Sequence, residues 1–202
     1  MQGLRIRDVR EHMPNYGQYQ DRRREGTVTG IAIHHSATAN RVTGLSMDDA
    51  RTIFQHHVGT LGWEHGGYHY LVHPGGLVEY ALDERIPAFH AGFSDPKDHL
   101  NLERGQYWNN HLLAVCVLGW FERDRTTGGA IPIPNRFTTP TRGQWSALVD
   151  LLRDLAHRHA VDAEAIRGHR ELAGCRTRCP GANVDLDALR TAVGRSPAGG
   201  DR

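Results

Sequence analysis

The segment Thr27-Val-Thr-Gly-Ile-Ala-Ile-His34-His35-Ser-Ala-Thr38 decides the fold, because it is typical of a buried strand that ends in two histidines. Its apolar residues predict a strand inside a sheet, and the polar residues that follow predict a loop. Open α/β sheets place ligands and chemistry outside the carboxyl ends of their strands. The two imidazoles are therefore candidates for metal binding or catalysis. Strand alternation points them to opposite faces, so it does not choose between His34 and His35.

The composition predicts one compact domain. The chain has 202 residues, of which 39% are hydrophobic and 23% charged, and this suffices for one core but hardly for two. The 24 basic and 23 acidic residues nearly cancel, which argues against a nucleic-acid partner because such proteins usually carry a basic excess. No apolar run reaches the roughly 18 residues of a membrane span. The first residues lack the apolar core of a secretory signal, so we expect no export signal.

Helix and strand patterns alternate along the rest of the chain, which predicts an α/β fold. The predicted elements are, in chain order, a helix that begins at Ser46, a hairpin formed by Tyr68–His73 and Leu77–Tyr80, a strand at Leu112–Gly119, a helix at Thr141–His159 and a short helix at Asp185–Val193.

Metal-binding residue types are concentrated in a second segment, Gly168-His-Arg-Glu-Leu-Ala-Gly-Cys-Arg-Thr-Arg-Cys-Pro180. A catalytic zinc site keeps one position open, so it needs three protein donors from histidine, cysteine or carboxylate. The three cysteines are too few for a disulfide framework, and Cys116 lies in an apolar run that predicts a packed thiol. The sequence therefore favours a metal site built from the strand-end histidines and this segment.

Five motifs resemble those of the type 2 N-acetylmuramoyl-L-alanine amidases and occur in the order of that family. They are Thr29-Gly-Ile-Ala-Ile-His-His-Ser-Ala-Thr38, Gly67-Tyr-His-Tyr-Leu-Val72, His90-Ala-Gly92, Gly168-His-Arg-Glu171 and Thr177-Arg-Cys-Pro-Gly181. The family includes phage endolysins and is similar in fold to the peptidoglycan recognition proteins. The resemblance implies a mixed central β-sheet flanked by helices, with Zn²⁺ in a groove on its surface. It also implies hydrolysis of the amide between N-acetylmuramic acid and L-alanine of the peptidoglycan stem peptide.

The resemblance further implies that His34, His169 and Cys179 bind the zinc ion, which leaves His35 as a neighbour that packs or hydrogen-bonds behind the site. The alternative for His169 is a surface histidine after a glycine turn. The alternatives for Cys179 are a buried free thiol or a disulfide with Cys175, and oxidation of that pair would prevent the zinc site from forming.

Two catalytic residues are implied by the same resemblance, Tyr68 and Thr177. Besides the metal, the developing oxyanion needs a hydrogen-bond donor, and these hydroxyls would supply it. The alternative for Tyr68 is a structural role as an ordinary aromatic residue of a strand. At the Thr177 position some relatives carry lysine, and threonine is a weaker donor. Cys116 lies where some relatives have a glutamate, so the general base is unassigned.

Three residues fall where the family shapes its substrate groove, His90, Trp108 and Asn109. A purely structural role in the surrounding loops is the alternative for each of them.

The resemblance leads us to predict a zinc-dependent peptidoglycan hydrolase, specifically a phage or prophage endolysin. We expect a monomer that stays in the cytoplasm until host lysis and then acts on the cell wall. The alternatives are a non-hydrolytic peptidoglycan-binding module, whose usual mark is loss of the zinc cysteine, and a cytoplasmic muropeptide-recycling amidase. A cysteine hydrolase that pairs Cys179 with His169 is disfavoured because it leaves His34 without a role.

The resemblance covers roughly residues 27–193 and excludes both ends of the chain, and we predict a zinc amidase domain at residues 27–195. Residues 1–26 are polar, contain three consecutive arginines and show no sustained period, so we predict an arm that packs on the domain or trails from it. Contact with a cell-wall surface is an alternative role for this arm. Residues 196–202 are predicted to be a flexible tail.

Overall fold

A mixed six-stranded sheet forms the centre of the computed structural model, which describes residues 3–38, 49–91, 107–122 and 138–195. Its strands are β1 (Arg5–Asp8), β2 (Gly30–His35), β3 (Tyr70–Val72), β4 (Leu77–Tyr80), β5 (Leu112–Val117) and β6 (Ile166–Gly168). Their order across the sheet is β1-β4-β3-β5-β2-β6. The β3–β4 hairpin is antiparallel, and the other neighbouring strands are parallel. The predicted mixed α/β fold is confirmed.

The helices are α1 (Tyr16–Tyr19), α2 (Ala50–Gly59), α3 (Arg142–His159) and α4 (Leu186–Gly194), and a short helical segment at 107–111 precedes β5. Thr141 caps α3, because its hydroxyl accepts the Gln144 amide and Oε1 of Gln144 accepts the Thr141 amide. Ser46, the predicted start of α2, lies outside the described residues. The cap of the observed α2 is Asp49, whose carboxylate accepts the Thr52 amide.

Both faces of the sheet are covered, which explains why β2 and β5 are buried along their whole length. On one face, Ile31 and Ile33 belong to a core shared with leucines of α3 and α4. On the other face, Leu71 and Cys116 pack with Phe54 of α2. Alternate residues of β2 and β5 therefore face different environments, and the candidate site lies on the α2 side.

The N-terminal segment is part of the sheet. β1 pairs in parallel with β4 as an edge strand, although its four side chains are exposed and show no hydrophobic period that could have predicted it. Further along, the Arg24 guanidinium donates to the carbonyls of Glu84, Ile86 and Asn110, which binds this segment to the loop after β4 and to the helical segment at 107–111. The division into an arm of residues 1–26 and a domain of residues 27–195 stays a prediction, and the predicted tail lies outside the described residues.

The helices give no sign of a transmembrane segment. Within the described ranges, none of them combines the length and the apolar character needed to cross a membrane.

Candidate metal centre

Neighbouring parallel strands bring the two candidate histidines together. Ile33 of β2 lies opposite Gly168 of β6, so the residues that follow them emerge side by side at the carboxyl edge of the sheet. The rings of His34 and His169 have their centroids 4.6 Å apart. The loop after β6 then returns Cys179, whose Sγ lies 3.6 Å from Nδ1 of His34. Strand register thus joins residues that are far apart in the chain.

The geometry of this group suits one metal ion. One donor atom each from His34, His169 and Cys179 lies within 4.8 Å of the others. Zinc bond lengths of about 2.0–2.1 Å to nitrogen and 2.3 Å to sulfur place two tetrahedral donors roughly 3.5 Å apart. The separation of 3.6 Å between the Cys179 sulfur and the His34 nitrogen matches that spacing.

The chemistry of the donors also suits a cation. Burial, followed by the neighbouring His169, lowers the pKa of His34 well below its usual value, and burial lowers the pKa of His169 to about 4. Both imidazoles are therefore neutral at pH 7 and have a lone pair available. Burial raises the pKa of the Cys179 thiol to about 12, which disfavours the thiolate unless a cation lies beside it. A metal ion would supply that cation, so the donor set fits zinc.

His35 lies behind the donor group. Its backbone amide donates to the sulfur of Cys179 at 3.3 Å, and its ring nitrogen Nδ1 accepts the amide of Phe121, also at 3.3 Å. Its ring lies beside Trp120 and Phe121. The tertiary structure thus separates the two histidines that strand alternation could not rank, and it brings only His34 into the donor group.

Hydrogen bonds close the loop that carries Cys179. The Arg170 amide donates to the Cys179 carbonyl at 2.8 Å, and the Arg170 guanidinium donates to the Gly181 carbonyl at 2.7 Å. Gly181 has a φ of +97°, and a Cβ at this position would lie 2.5 Å from the backbone of Phe121. The loop therefore requires glycine there. Cys175 and Cys179 are both free thiols, and Cys175 donates to the Ala91 carbonyl instead.

Two hydroxyls stand near the donor group. Tyr68 has its ring centroid 5.3 Å from that of His34. Burial, with the nearby thiols of Cys116 and Cys179, raises the pKa of the Tyr68 phenol well above its usual value, so this group remains a proton donor. The Thr177 hydroxyl accepts the Cys179 amide at 3.1 Å, and accepting this bond leaves its own proton available.

The three predicted groove residues have different environments. His90 and Asn109 are 5% and 2% exposed, and the Nδ1 atom of His90 lies 3.0 Å from Nε2 of His34. Trp108 is half-buried, and its indole donates to the Ala173 carbonyl at 3.1 Å. Burial favours the structural alternative for His90 and Asn109, whereas substrate binding by Trp108 stays a prediction.

The sequence did not single out two features near the site. His57 stacks on Trp63 with ring centroids 4.5 Å apart, and its Nδ1 accepts the Gly67 amide just before Tyr68. Glu122 is 8% exposed and lies close enough to Cys179 to affect the pKa of its thiol. The glycine pair before Tyr68 was the sequence signal that could have indicated the contact with His57. No local pattern marked Glu122.

Comparisons with known proteins identify the class to which this fold and donor group belong. The sequence profile of the N-acetylmuramoyl-L-alanine amidase family matches residues 24–182, and the chain belongs to that family. Comparison with curated protein sequences gives no significant match.

Solved structures share the fold at low sequence identity. The Ph2119 endolysin of a Thermus scotoductus bacteriophage has 23% identity and a TM-score of 0.61, with 95% of this chain and 100% of that chain covered. The amidase LysC from Clostridium intestinale has 17% identity and a TM-score of 0.60, with 93% and 95% covered. Drosophila PGRP-LB, a peptidoglycan recognition protein, has 16% identity and a TM-score of 0.63, with 97% and 99% covered.

Proposed function

We propose that this protein is a zinc-dependent hydrolase of bacterial peptidoglycan that cleaves the amide between N-acetylmuramic acid and L-alanine. The observation that carries the proposal is the convergence of His34, His169 and Cys179 within 4.8 Å in a chain of the amidase family. Three protein donors suit a catalytic site, because the fourth position of a tetrahedral ion stays open to substrate or water.

Residues around the donor group would supply hydrogen-bond donors for amide hydrolysis. A zinc ion would polarise the scissile carbonyl and lower the pKa of water. The protonated Tyr68 phenol would donate to the oxyanion as negative charge develops on it, and the Thr177 hydroxyl would add a second donor. Cys116 stands where some relatives have a glutamate; it is fully buried in the core and its thiol lies beside the Tyr68 phenol, and the general base stays unassigned.

We further propose that the protein is a phage or prophage endolysin, held in the cytoplasm until host lysis and acting on the cell wall as a monomer. Its similarity in fold to the Ph2119 endolysin supports this role. The second candidate is a non-hydrolytic peptidoglycan-binding module, which the similarity to PGRP-LB favours. The complete donor group argues for hydrolysis over binding alone. A cytoplasmic muropeptide-recycling amidase would use the same site.

Purified bacterial cell walls test these alternatives. We expect the protein to reduce wall turbidity and to release new L-alanine amino termini detectable by mass analysis. Both effects should stop when a chelator removes zinc. Soluble muropeptides compared with intact walls as substrates would separate a recycling enzyme from an endolysin. New reducing sugar ends would contradict amidase chemistry, and wall binding without cleavage would favour the binding module.

A further inference from the structure

A buried histidine outside the donor group contacts one of its members. The Nδ1 atom of His90 lies 3.0 Å from Nε2 of His34, and the two rings meet edge to face at 80°. On the opposite side of the His34 ring, Nδ1 lies 3.6 Å from the Cys179 sulfur. The two nitrogens of His34 therefore face different partners, Nδ1 the donor group and Nε2 the ring of His90.

This arrangement restricts where the protons lie. A neutral imidazole that offers one nitrogen to a metal carries its proton on the other. Because Nδ1 of His34 faces the donor group, its proton belongs on Nε2, and Nδ1 of His90 has to accept it. Both rings are buried, and Nε2 of His34 lies 3.0 Å from Nδ1 of His90, which is hydrogen-bond distance. The Nε2 proton of His34 and the Nδ1 lone pair of His90 then form one hydrogen bond between the two rings.

The accepting ring is itself held in place. The Oδ1 atom of Asn109 accepts the amides of His90 at 3.1 Å and of Ala91 at 2.9 Å. Asn109 and His90 are 2% and 5% exposed, so solvent does not reach these bonds freely. Asn109, which lies just before β5, thus holds the backbone of His90 in place, and the side chain of His90 contacts His34 from there.

We propose that His90 is a positioning residue, which accepts the Nε2 proton of His34 and thereby holds the ring and tautomer that present Nδ1 to zinc. The inference rests on the proposed zinc site. It replaces the substrate-contact role predicted for His90 with a role in metal affinity, and it assigns Asn109 as the support of that role.

Two variants of nearly equal shape isolate the accepting atom. Asparagine and leucine have the same branching, but only His90→Asn offers an acceptor where Nδ1 of the ring stood. The measurements are the zinc dissociation constant, by competition with a chromophoric chelator at fixed pH, and the thermal midpoint of the metal-free protein. We expect His90→Leu to weaken zinc binding roughly 10–100-fold, the usual effect of losing an outer-shell partner. His90→Asn should recover most of that loss, with equal metal-free midpoints for the two variants.

The outcomes separate this inference from the proposed function. Wild-type affinity in His90→Leu, or equal losses in both variants, would overturn the role of His90 while the wild-type protein still binds zinc and cleaves walls. A wild-type protein that binds no zinc would overturn both proposals. Should the variants fail to fold, ¹⁵N NMR of the zinc-loaded wild-type protein decides the matter. We expect His34 to be protonated at Nε2 and coordinated through Nδ1, and coordination through Nε2 would refute the inference.

Discussion

Two cysteines in the loop after β6 differ in what their sulfurs contact. The Cys179 sulfur lies in the donor group, whereas the Cys175 thiol donates to the Ala91 carbonyl. We expect Cys179→Ser to weaken zinc binding by more than the roughly 100-fold upper effect of losing an outer partner, and to abolish wall cleavage. Zinc content measured by mass spectrometry, together with the turbidity assay, tests this. Cys175→Ser is the matched control and should keep both properties. A zinc-loaded, active Cys179→Ser protein would refute the ligand assignment.

The phenol of Tyr68 is the strongest candidate for the oxyanion donor. Removing one such donor typically lowers kcat about 10²–10³-fold, and we expect this loss for Tyr68→Phe with zinc content unchanged. Steady-state kinetics on a soluble muropeptide would measure kcat and KM separately. Tyr70→Phe is the control, because the Tyr70 hydroxyl bonds to Glu84 and belongs to the opposite core. A Tyr68→Phe variant with wild-type kcat would exclude the proposed role.

At the scale of elements, the segment before β2 is held by one arginine. Arg24 donates to carbonyls of the loop after β4 and of the helical segment at 107–111. Among the described residues, the neighbouring Arg23 bonds only to the carbonyls of Gln20 and Arg22 in its own segment. Removing Arg24 takes its donors away from the part-buried carbonyls of Glu84 and Asn110, so Arg24→Ala should lower the free energy of unfolding by roughly 3 kcal/mol. Arg23→Ala should change it by less than about 0.5 kcal/mol. Urea unfolding measures the change in both variants, and equal changes would contradict the inference that Arg24 holds this segment.

An element was predictable where the pattern of its own residues shows which side is buried, and it was not predictable where a distant strand makes it a strand. The helix predicted at Thr141–His159 is observed at Arg142–His159, because its apolar stripe packs on the sheet and its cap is encoded within four residues. The strand predicted at Leu112–Gly119 is confirmed but ends at Val117. Strand β1 was missed because its side chains are exposed and only backbone pairing with β4 makes it a strand.

For the whole molecule, Glu84 links separate parts of the chain. Its carboxylate accepts bonds from Arg158 and His159 at the end of α3 and from Tyr70 of β3. Burial alone would raise the pKa of Glu84, but these partners outweigh it and lower the pKa from 4.5 to about 2. A lowered pKa stabilises the fold above the unfolded value and loses that contribution as the pH falls.

Acid titration tests this link. We expect the carboxylate to contribute on the order of 3 kcal/mol above about pH 4.5 and to lose it progressively towards pH 2. Urea unfolding across this pH range should show a steeper loss of stability for the wild-type protein than for Glu84→Gln, whose amide does not ionise. Parallel curves for the two proteins would show that Glu84 is not the linked group.

As with the fold, the sequence was sufficient to predict one part of the candidate site and insufficient for the other. Residue types and motif order were sufficient to predict the strand-end histidines, the donor-rich segment and the family, because these are properties of short stretches. The convergence of His34, His169 and Cys179 agrees with the ligand set that the resemblance implied, although zinc binding stays a proposal. The burial of His90 and Asn109 was not predictable, since His90 lies in a loop and Asn109 in a short helical segment, and the sequence of neither has a periodic pattern.

The sequence by itself determined that a buried strand ends in two imidazoles and that a distant loop carries a histidine and a cysteine. The tertiary structure places His34 beside those donors, as the resemblance had implied. It alone shows that the His35 amide donates to the Cys179 sulfur and that Nδ1 of His90 lies 3.0 Å from Nε2 of His34. The physical reason is that periodicity reports the average burial of a local segment. Contacts between residues 56 or 145 positions apart depend on strand register and loop closure, which no local pattern encodes.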